Sequence, residues 1–124
     1  MSNERRHYPR FDVNWPAELR LESGQPIRGN AVNVSPGGIQ VACDGRSAAQ
    51  ILPPGSTLVR AAAPRTSLRL QICRAEHPAA PAEIEVACRL THVRRVAQDQ
   101  YHVGLLFERF AADGERLLDD CLAS

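Results

Sequence analysis

The first apolar pattern along the chain alternates residue by residue. Over residues 11–22, apolar side chains fall on one face and polar or charged side chains fall on the other. A period of two over this length is typical of a β-strand that is buried on one side. Pro16 lies in the middle of this run and has no N–H to donate, which predicts an edge position or a bulge at that point.

Similar patterns recur along most of the remaining chain. Runs of alternating or apolar residues, separated by turns that contain Gly, Pro, Asn or Asp, predict further short strands. We place these strands at residues 27–34, 39–43, 57–62, 67–73, 84–90 and 101–107. We expect one helical turn at residues 47–52 and a loop at residues 77–81, which contain two prolines.

The period changes near the end of the chain. Apolar residues recur at helical spacing from Leu117 to Leu122, and Asp113 is a suitable N-cap residue. This pattern predicts one amphipathic helix over about residues 111–123. Short strands joined by turns and followed by a single helix are typical of a small antiparallel barrel, with the helix covering one end or seam.

Size and composition fit one globular domain. The chain has 124 residues, of which 44% are apolar and 23% are charged, which suits a single modest core. The formal net charge of +1 gives no global attraction to nucleic acid or to an anionic membrane. The N-terminus lacks an apolar stretch of signal-peptide type, and no apolar run has membrane-spanning length. We therefore expect a cytoplasmic protein without membrane insertion.

The four cysteines give no indication of a metal site or a cofactor. They are widely spread and form no C-x-x-C pair, which argues against structural zinc. Cys43, Cys88 and Cys121 fall in register with apolar neighbours, so we expect buried, reduced thiols at these positions. Cys73 is out of register with its apolar neighbours, and we expect it to be partly exposed.

Two short polar segments carry the candidate chemistry, and the first is RRHYPR at residues 5–10. We expect this N-terminal segment to be a flexible arm. All 15 basic residues of the chain are arginines, and each guanidinium is a planar fork that binds phosphate or guanine through two hydrogen bonds. In the extended conformation that Pro9 favours, Arg6 and Arg10 lie on one side of the arm and Arg5 lies on the other.

The second segment is NVSPGG at residues 33–38, in a predicted turn between two strands. Asn33 and Ser35 supply an amide and a hydroxyl, and Gly37 and Gly38 let a ligand approach the backbone closely. Each segment alone has an ordinary interpretation. A terminal charge cluster is commonly a solvated tail, and Asn, Ser, Pro and Gly are common turn residues whose glycines supply a positive φ.

Together, the two segments resemble the two-part signature of the PilZ domain family. That signature is an Arg-x-x-x-Arg arm, a strand hairpin, and (Asp/Asn)-x-Ser-x-x-Gly before an apolar strand. Residues 87–94 and 101–107 resemble the paired closing strands of the family, and the terminal helix also fits. The resemblance covers residues 5–122 and implies an arm at residues 1–10. It also implies a six-stranded antiparallel β-barrel of the split-barrel type, with a C-terminal helix, over residues 11–124.

The resemblance implies a bacterial, non-enzymatic receptor for the second messenger cyclic di-GMP. By position in the motif, Arg6 and Arg10 would clamp the guanine Hoogsteen edges and the phosphates. Arg5 stands directly before the first motif arginine. In this family an additional arginine at that place accompanies an intercalated ligand dimer, so we expect two ligand molecules per site.

The resemblance also assigns roles to the turn. Asn33 and Ser35 would hydrogen-bond a guanine and the adjoining backbone, while Gly37 and Gly38 would leave room for the ligand. The family most often has Asp at position 33. Asn exchanges an acceptor-only group for one that also donates, so we expect a weaker guanine contact there.

The implied mechanism is a switch in which cyclic di-GMP draws the arm onto the barrel of a monomer and signals to a downstream protein. The sequence leaves that partner unnamed. One alternative is a protein-interaction module on the same barrel that needs no ligand. Another is a small-barrel nucleic-acid binder, which would need aromatic platforms on a basic face, whereas the chain has six aromatic residues. His92, Arg94 and Arg95 lie near the end of the long strand, where we expect a solvated strand end.

Overall fold

In the computed structural model of the protein, the described residues are 10–22, 24–53, 55–56, 65–74 and 77–123. For residues 73, 74 and 77–81, the description covers the backbone alone. Three expectations therefore lie outside the described part of the chain. They are the positions of Arg5 and Arg6, the predicted strand at residues 57–62, and the exposure of the Cys73 side chain.

The described residues form six strands and two helices. In chain order these are β1 (Phe11–Leu21), β2 (Pro26–Ser35), β3 (Gly38–Cys43), α1 (Gly45–Ile51), β4 (Arg65–Arg74), β5 (His77–Ala97), β6 (Gln100–Phe110) and α2 (Gly114–Ala123). Every strand pair is antiparallel, and the sheet closes on itself in the order β1-β2-β3-β6-β5-β4. The predicted fold class, a six-stranded antiparallel barrel with a C-terminal helix, is confirmed.

Strict alternation explains why β1 builds one wall of the core. Trp15, Ala17 and Leu19 are buried inside the barrel, while their neighbours Pro16 and Arg20 are exposed. The same alternation on the other strands fills the interior with apolar side chains. Those with no measurable exposure are Ala31, Val34, Val41, Leu68, Leu70, Ile72, Cys88 and Val103. Within the described part of the chain, these side chains fill the interior and leave the outer face accessible to a ligand.

Pro16 lies next to an irregularity of the β1–β2 ladder and just outside the β1–β4 pairing. The β1–β4 pairing begins one residue later, at Ala17 opposite Leu70. On the β2 side, the register shifts between Asp12 and Trp15, just before Pro16. Pro16 itself pairs with Asn30 in the regular part of the β1–β2 ladder. The expected edge position is therefore wrong, because the barrel is closed, and the bulge lies just before the proline.

The loop expected at residues 77–81 is wrong, because the backbone of this segment belongs to β5. Pairing with β4 runs from Ile72 opposite Ala82 to Arg74 opposite His77. Between these two pairs, β4 advances two residues and β5 advances five. The segment thus absorbs its prolines in an irregularity of the ladder, where a missing N–H costs least.

Both helices begin at features that the sequence contains. Asp44 caps α1, since its Oδ1 accepts a hydrogen bond from the Ser47 backbone N–H at 2.8 Å. This bond also lowers the pKa of Asp44. At the start of α2, the Asp113 carbonyl accepts from the Leu117 N–H at 3.0 Å. Leu118 is 1% exposed and anchors α2 on the barrel core.

The cysteine expectation is only partly correct. Cys88 is fully buried, and burial raises the pKa of its thiol to about 12. Cys43 and Cys121 are half-buried, because each lies near the end of its element and at the margin of the core. In the described part of the chain, no helix is both long enough and apolar enough to cross a membrane.

Replacement of Leu70 tests the filled interior. Leu70→Ala removes a side chain with no exposure, and we expect the free energy of unfolding to fall by about 2–5 kcal/mol. The matched control is Leu106→Ala on the outer face, where the side chain is 47% exposed. That change should cost about 1 kcal/mol or less, because half of the side chain is already in water. Urea denaturation measures both, and equal losses would contradict the assignment of inside and outside.

Candidate functional site

A cavity of about 820 Å³ lies on the outer face of the barrel, where the β2–β3 turn meets β5 and β6. Small-molecule sites commonly have volumes of roughly 300–1,000 Å³. Among the residues that the sequence proposes as ligand contacts, Arg10, Ser35, Gly37 and Gly38 line this cavity. The two candidate segments therefore meet at one place on the barrel.

Arg10 and Asn33 join these segments directly. The Arg10 Nη1 donates a hydrogen bond to the Asn33 Oδ1 at 2.8 Å, across 23 positions of sequence. Strand pairing makes this possible, because Phe11 lies opposite Val34 and Asp12 lies opposite Asn33. The guanidinium stands at an exposed edge of the cavity with donors left for a ligand.

Ser35 supports the turn between β2 and β3. The residue is 6% exposed, and its hydroxyl lies 3.5 Å from the Gly38 carbonyl across the turn. The carbonyl of Gly37 accepts from the Phe107 N–H at 3.0 Å, which attaches the turn to β6. The turn is thus a fixed wall of the cavity.

The two glycines of this turn have different roles. Neither glycine has a positive φ; among the described glycines, that conformation occurs at Gly55. The interpretation that these glycines supply a positive φ is therefore wrong. A Cβ on Gly38 would lie 2.6 Å from the Leu105 carbonyl oxygen, so the close approach of β3 to β6 requires glycine there. A Cβ on Gly37 would meet no atom within 4 Å. The open space for a ligand is therefore at Gly37.

A row of three outward positions forms part of the cavity floor: Gln40 on β3, Gly104 on β6 and His92 on β5. Gly104 lies opposite both of the others and has no side chain, so Gln40 and His92 meet above it. Their Nε2 atoms are 3.3 Å apart. A Cβ on Gly104 would lie 2.7 Å from the Thr91 Oγ1 and closer still to the His92 ring. Gly104 therefore creates the space that the histidine occupies.

A second guanidinium, that of Arg89, lines the cavity from β5. Its Nη2 is 2.8 Å from the Glu108 Oε2, which holds the side chain against the barrel wall. Its Nε is buried and has no hydrogen-bond partner within the described residues. Between Gly38 and Arg89, the strand register places the exposed side chain of Leu106.

His92 is more enclosed than a solvated strand end. It is half-buried in the cavity, and burial lowers its pKa, with further lowering by Arg94, Arg10 and His102. The ring is therefore neutral at pH 7. The expectation of a solvated strand end is wrong for His92 but correct for the exposed Arg94 and Arg95, the latter of which bonds carbonyls of its own turn.

A model of the PilZ domain family matches residues 4–124, which is almost the entire chain. The chain belongs to the PilZ domain family. No curated protein is similar enough in sequence to match it.

Solved structures share the fold of this PilZ domain at low sequence identity. One is the Bacillus subtilis inhibitor of motility MotI/DgrA, with 21% identity, a TM-score of 0.66 and coverage of 96% of this chain and 50% of that one. The MrkH–c-di-GMP complex of K. pneumonia has 17% identity, a TM-score of 0.64 and coverage of 99% and 51%. The PilZ domain of Escherichia coli YcgR with c-di-GMP has 16% identity, a TM-score of 0.53 and coverage of 96% and 90%. The chain thus spans about half the length of MotI and MrkH.

The cavity of this PilZ domain suits a flat, acceptor-rich anion. Arg10 and Arg89 supply guanidinium groups from opposite sides, and Leu106 supplies an apolar surface between them. Guanidinium forks bind paired acceptors, and a leucine surface accepts the face of a planar ring. Sequence analysis did not single out Arg89 and Leu106, because outward charged and apolar residues are common on strands.

Gln40 and Gly104 were also missed in the sequence, although Gly104 carried a usable signal. It occupies an outward position within the alternating run at residues 101–107, and a glycine inside a strand marks a close approach or a bulge. The approaching group comes from another strand, so its identity is visible only after the strands are paired.

The two glycines of the turn provide a matched pair of substitutions. Gly38→Ala places a methyl group against the Leu105 carbonyl, and we expect a loss of about 1–3 kcal/mol in the free energy of unfolding. Gly37→Ala points into open space and should change stability by no more than about 0.5 kcal/mol. Thermal and urea denaturation measure the difference. Equal stability of the two variants would show that strand approach does not require Gly38.

Proposed function

We propose that this PilZ domain is a cytoplasmic bacterial receptor for cyclic di-GMP, with no catalytic role. The observation that supports this most strongly is the hydrogen bond between Arg10 and Asn33 at the edge of the cavity. It joins the two halves of the family signature at one place, next to Ser35 and Gly37. The solved complexes of MrkH and YcgR with c-di-GMP support the same ligand.

The chemistry of the ligand matches the groups at this site. Guanine presents O6 and N7 as paired acceptors, and a bidentate arginine contact to them contributes about 1–3 kcal/mol. A guanidinium plane also stacks on a base. We assign these contacts to Arg10 and Arg6, with Asn33 and Ser35 binding the guanine edge and the adjoining backbone. Gly37 and Gly38 would leave the turn low enough for the ligand to approach.

The proposed response to the ligand involves residues 1–10. We propose that they act as an arm that orders over the barrel, at residues 11–124, when the ligand binds, while Arg10 at its end is already placed at the cavity by its bond to Asn33. Ordering costs about 1–2 kcal/mol per residue in backbone entropy, so several arginines must engage together. The ordered arm would change the surface that a downstream protein meets, which makes the barrel an adaptor that works as a monomer.

Loss of either motif arginine tests the receptor function. We expect Arg6→Ala and Arg10→Ala each to abolish binding of cyclic di-GMP at micromolar concentration, because the remaining contacts do not offset the cost of ordering the arm. Calorimetric titration measures the affinity, and circular dichroism checks that the barrel is folded. Arg20→Ala is the matched control, since Arg20 is exposed on β1 and lies outside the cavity lining. Micromolar binding by either motif variant would refute the assignment.

The number of bound ligands tests the role proposed for Arg5. Arg5 is expected on the opposite side of the arm from Arg6. A second ligand molecule that stacks on the first can therefore contact Arg5. We expect two molecules of cyclic di-GMP per wild-type protein and one per Arg5→Ala variant. Calorimetry gives the ratio, and NMR titration locates the binding site. A ratio of one for the wild type would exclude the intercalated dimer.

A further inference from the structure

Five side chains form a continuous series of hydrogen bonds along one side of the cavity. Arg10 donates to Asn33 at 2.8 Å, and the Asn33 Nδ2 donates to the Gln40 Oε1 at 2.7 Å. The Gln40 Nε2 lies 3.3 Å from the His92 Nε2, and the His92 Nδ1 lies 3.2 Å from the Thr91 Oγ1. We call this series the hydrogen-bond relay. It connects β5 to the residue that precedes β1.

Arg10 determines the direction of every bond in the relay. A guanidinium only donates, so the Asn33 atom that faces it must be the amide oxygen. The Asn33 amide nitrogen therefore faces Gln40 and donates to its oxygen. Gln40 is then left with its nitrogen towards His92, where it also donates.

These directions leave one protonation state for His92. Its Nε2 must accept from Gln40, so the ring is neutral and carries its proton on Nδ1. That proton is donated to the hydroxyl oxygen of Thr91. Gly104 makes the arrangement possible, because a side chain there would collide with the His92 ring and with Thr91.

We propose that Gln40 and His92 are positioning residues of the cyclic di-GMP site: through Asn33 they hold Arg10 in place at the cavity, and protonation of His92 releases that hold and weakens ligand binding. This inference rests on the proposed function. Neither residue needs to touch the ligand for the effect, since both act through Asn33.

Protonation changes the His92 Nε2 from an acceptor to a donor, so the series of hydrogen bonds can no longer be completed. The imidazolium carries hydrogens on both nitrogens, so its Nε2 opposes the donating nitrogen of Gln40. If Gln40 turns its oxygen to His92, its nitrogen faces the donating nitrogen of Asn33. If Asn33 turns as well, its nitrogen faces the guanidinium of Arg10. Each arrangement leaves two donors facing each other, and the last one takes from Arg10 the acceptor that Asn33 supplies.

The surroundings of His92 favour the neutral ring. Burial lowers its pKa, and so do Arg94 on β5, Arg10 before β1 and His102 on β6. Gln40, which faces it from β3, carries no charge. The relay is therefore complete above the ordinary histidine pKa of about 6.5, and it is lost as the pH falls through the lowered value.

The residue at position 33 also determines the tautomer of His92. An aspartate there would only accept, so Gln40 would have to turn its nitrogen to residue 33 and its oxygen to His92. The neutral ring would then carry its proton on Nε2. The amide of Asn33 and the Nδ1-protonated tautomer of His92 are thus two parts of one arrangement.

NMR of the His92 ring nitrogens tests the relay without any ligand. In the nitrogen-15-labelled full-length protein above pH 7, we expect the proton on Nδ1. Asn33→Asp should move it to Nε2. Gln40→Ala removes the connection between residue 33 and His92. The Gln40→Ala/Asn33→Asp double variant should therefore have the same His92 tautomer as Gln40→Ala alone. A wild-type proton on Nε2, or a tautomer that does not respond to Asn33→Asp, would overturn the proposal.

Calorimetric affinities for cyclic di-GMP test the positioning role. We expect Gln40→Ala and His92→Ala each to weaken binding about three- to tenfold, the effect of one lost hydrogen bond. The double variant should bind like either single variant, because both changes break the same series. A double variant that shows the product of the two single effects would mean that the residues act separately, and it would overturn the proposal.

The pH dependence of affinity provides a second readout. Between about pH 8 and pH 5, wild-type affinity should fall, while His92→Ala should lose this response. His102→Ala is the matched control: it should keep the response, with the midpoint moved to higher pH because His102 no longer lowers the pKa of His92. A rise of wild-type affinity at acid pH would mean that His92⁺ contacts a ligand phosphate directly, which would overturn the proposal.

The two kinds of measurement separate the failure of this inference from the failure of the proposed function. A wild-type protein that binds no cyclic di-GMP overturns both. A protein that binds it with the His92 proton on Nε2, or with additive effects of Gln40 and His92, overturns the positioning role alone.

Discussion

The pairing of β3 with β6 is the contact on which the cavity depends. Gly38 lies so close to the Leu105 carbonyl that no side chain fits between them, and the Gly37 carbonyl is bonded to the Phe107 N–H. These contacts place the β2–β3 turn beside the outward positions of β6 and β5. Apolar side chains of the described residues fill the barrel interior, which leaves the outer face for a ligand. The pairing of β3 with β6 thus positions one wall of the external cavity.

The Arg10–Asn33 hydrogen bond connects the start of the barrel to this cavity, and its strength suits a switch. Arg10 is exposed and Asn33 is half-buried, and one such bond stabilises a protein by only about 0.5–3 kcal/mol. It can therefore hold the guanidinium near the ligand position and still exchange for contacts with a ligand. The relay through Gln40 and His92 connects Asn33 to β5, so residues on both sides of the cavity contribute to the position of Arg10.

Sequence analysis was most reliable where a single strand determines its own burial. The alternation on β1 and the apolar residues of β4 and β5 identified the core, because a period of two selects one face in any barrel. It was wrong at residues 77–81, since proline content does not show that pairing with β4 can absorb extra residues. It was wrong again at His92, whose enclosure depends on an absent side chain at Gly104, on a different strand. The ligand roles of Arg5, Arg6, Arg10, Asn33, Ser35, Gly37 and Gly38 stay predictions.

By itself, the sequence determined the family, the strand-rich fold with its terminal helix, and the candidate residues of the two motifs. These features depend on local periodicity and on short spacings between residues. Only the tertiary structure decided which residues meet. Strand pairing brought Arg10 to Asn33, placed Gln40 and His92 on either side of Gly104, and gave Gly37 and Gly38 different roles. Such contacts join residues far apart in the chain, and their geometry depends on the register and closure of the barrel, which no local pattern specifies.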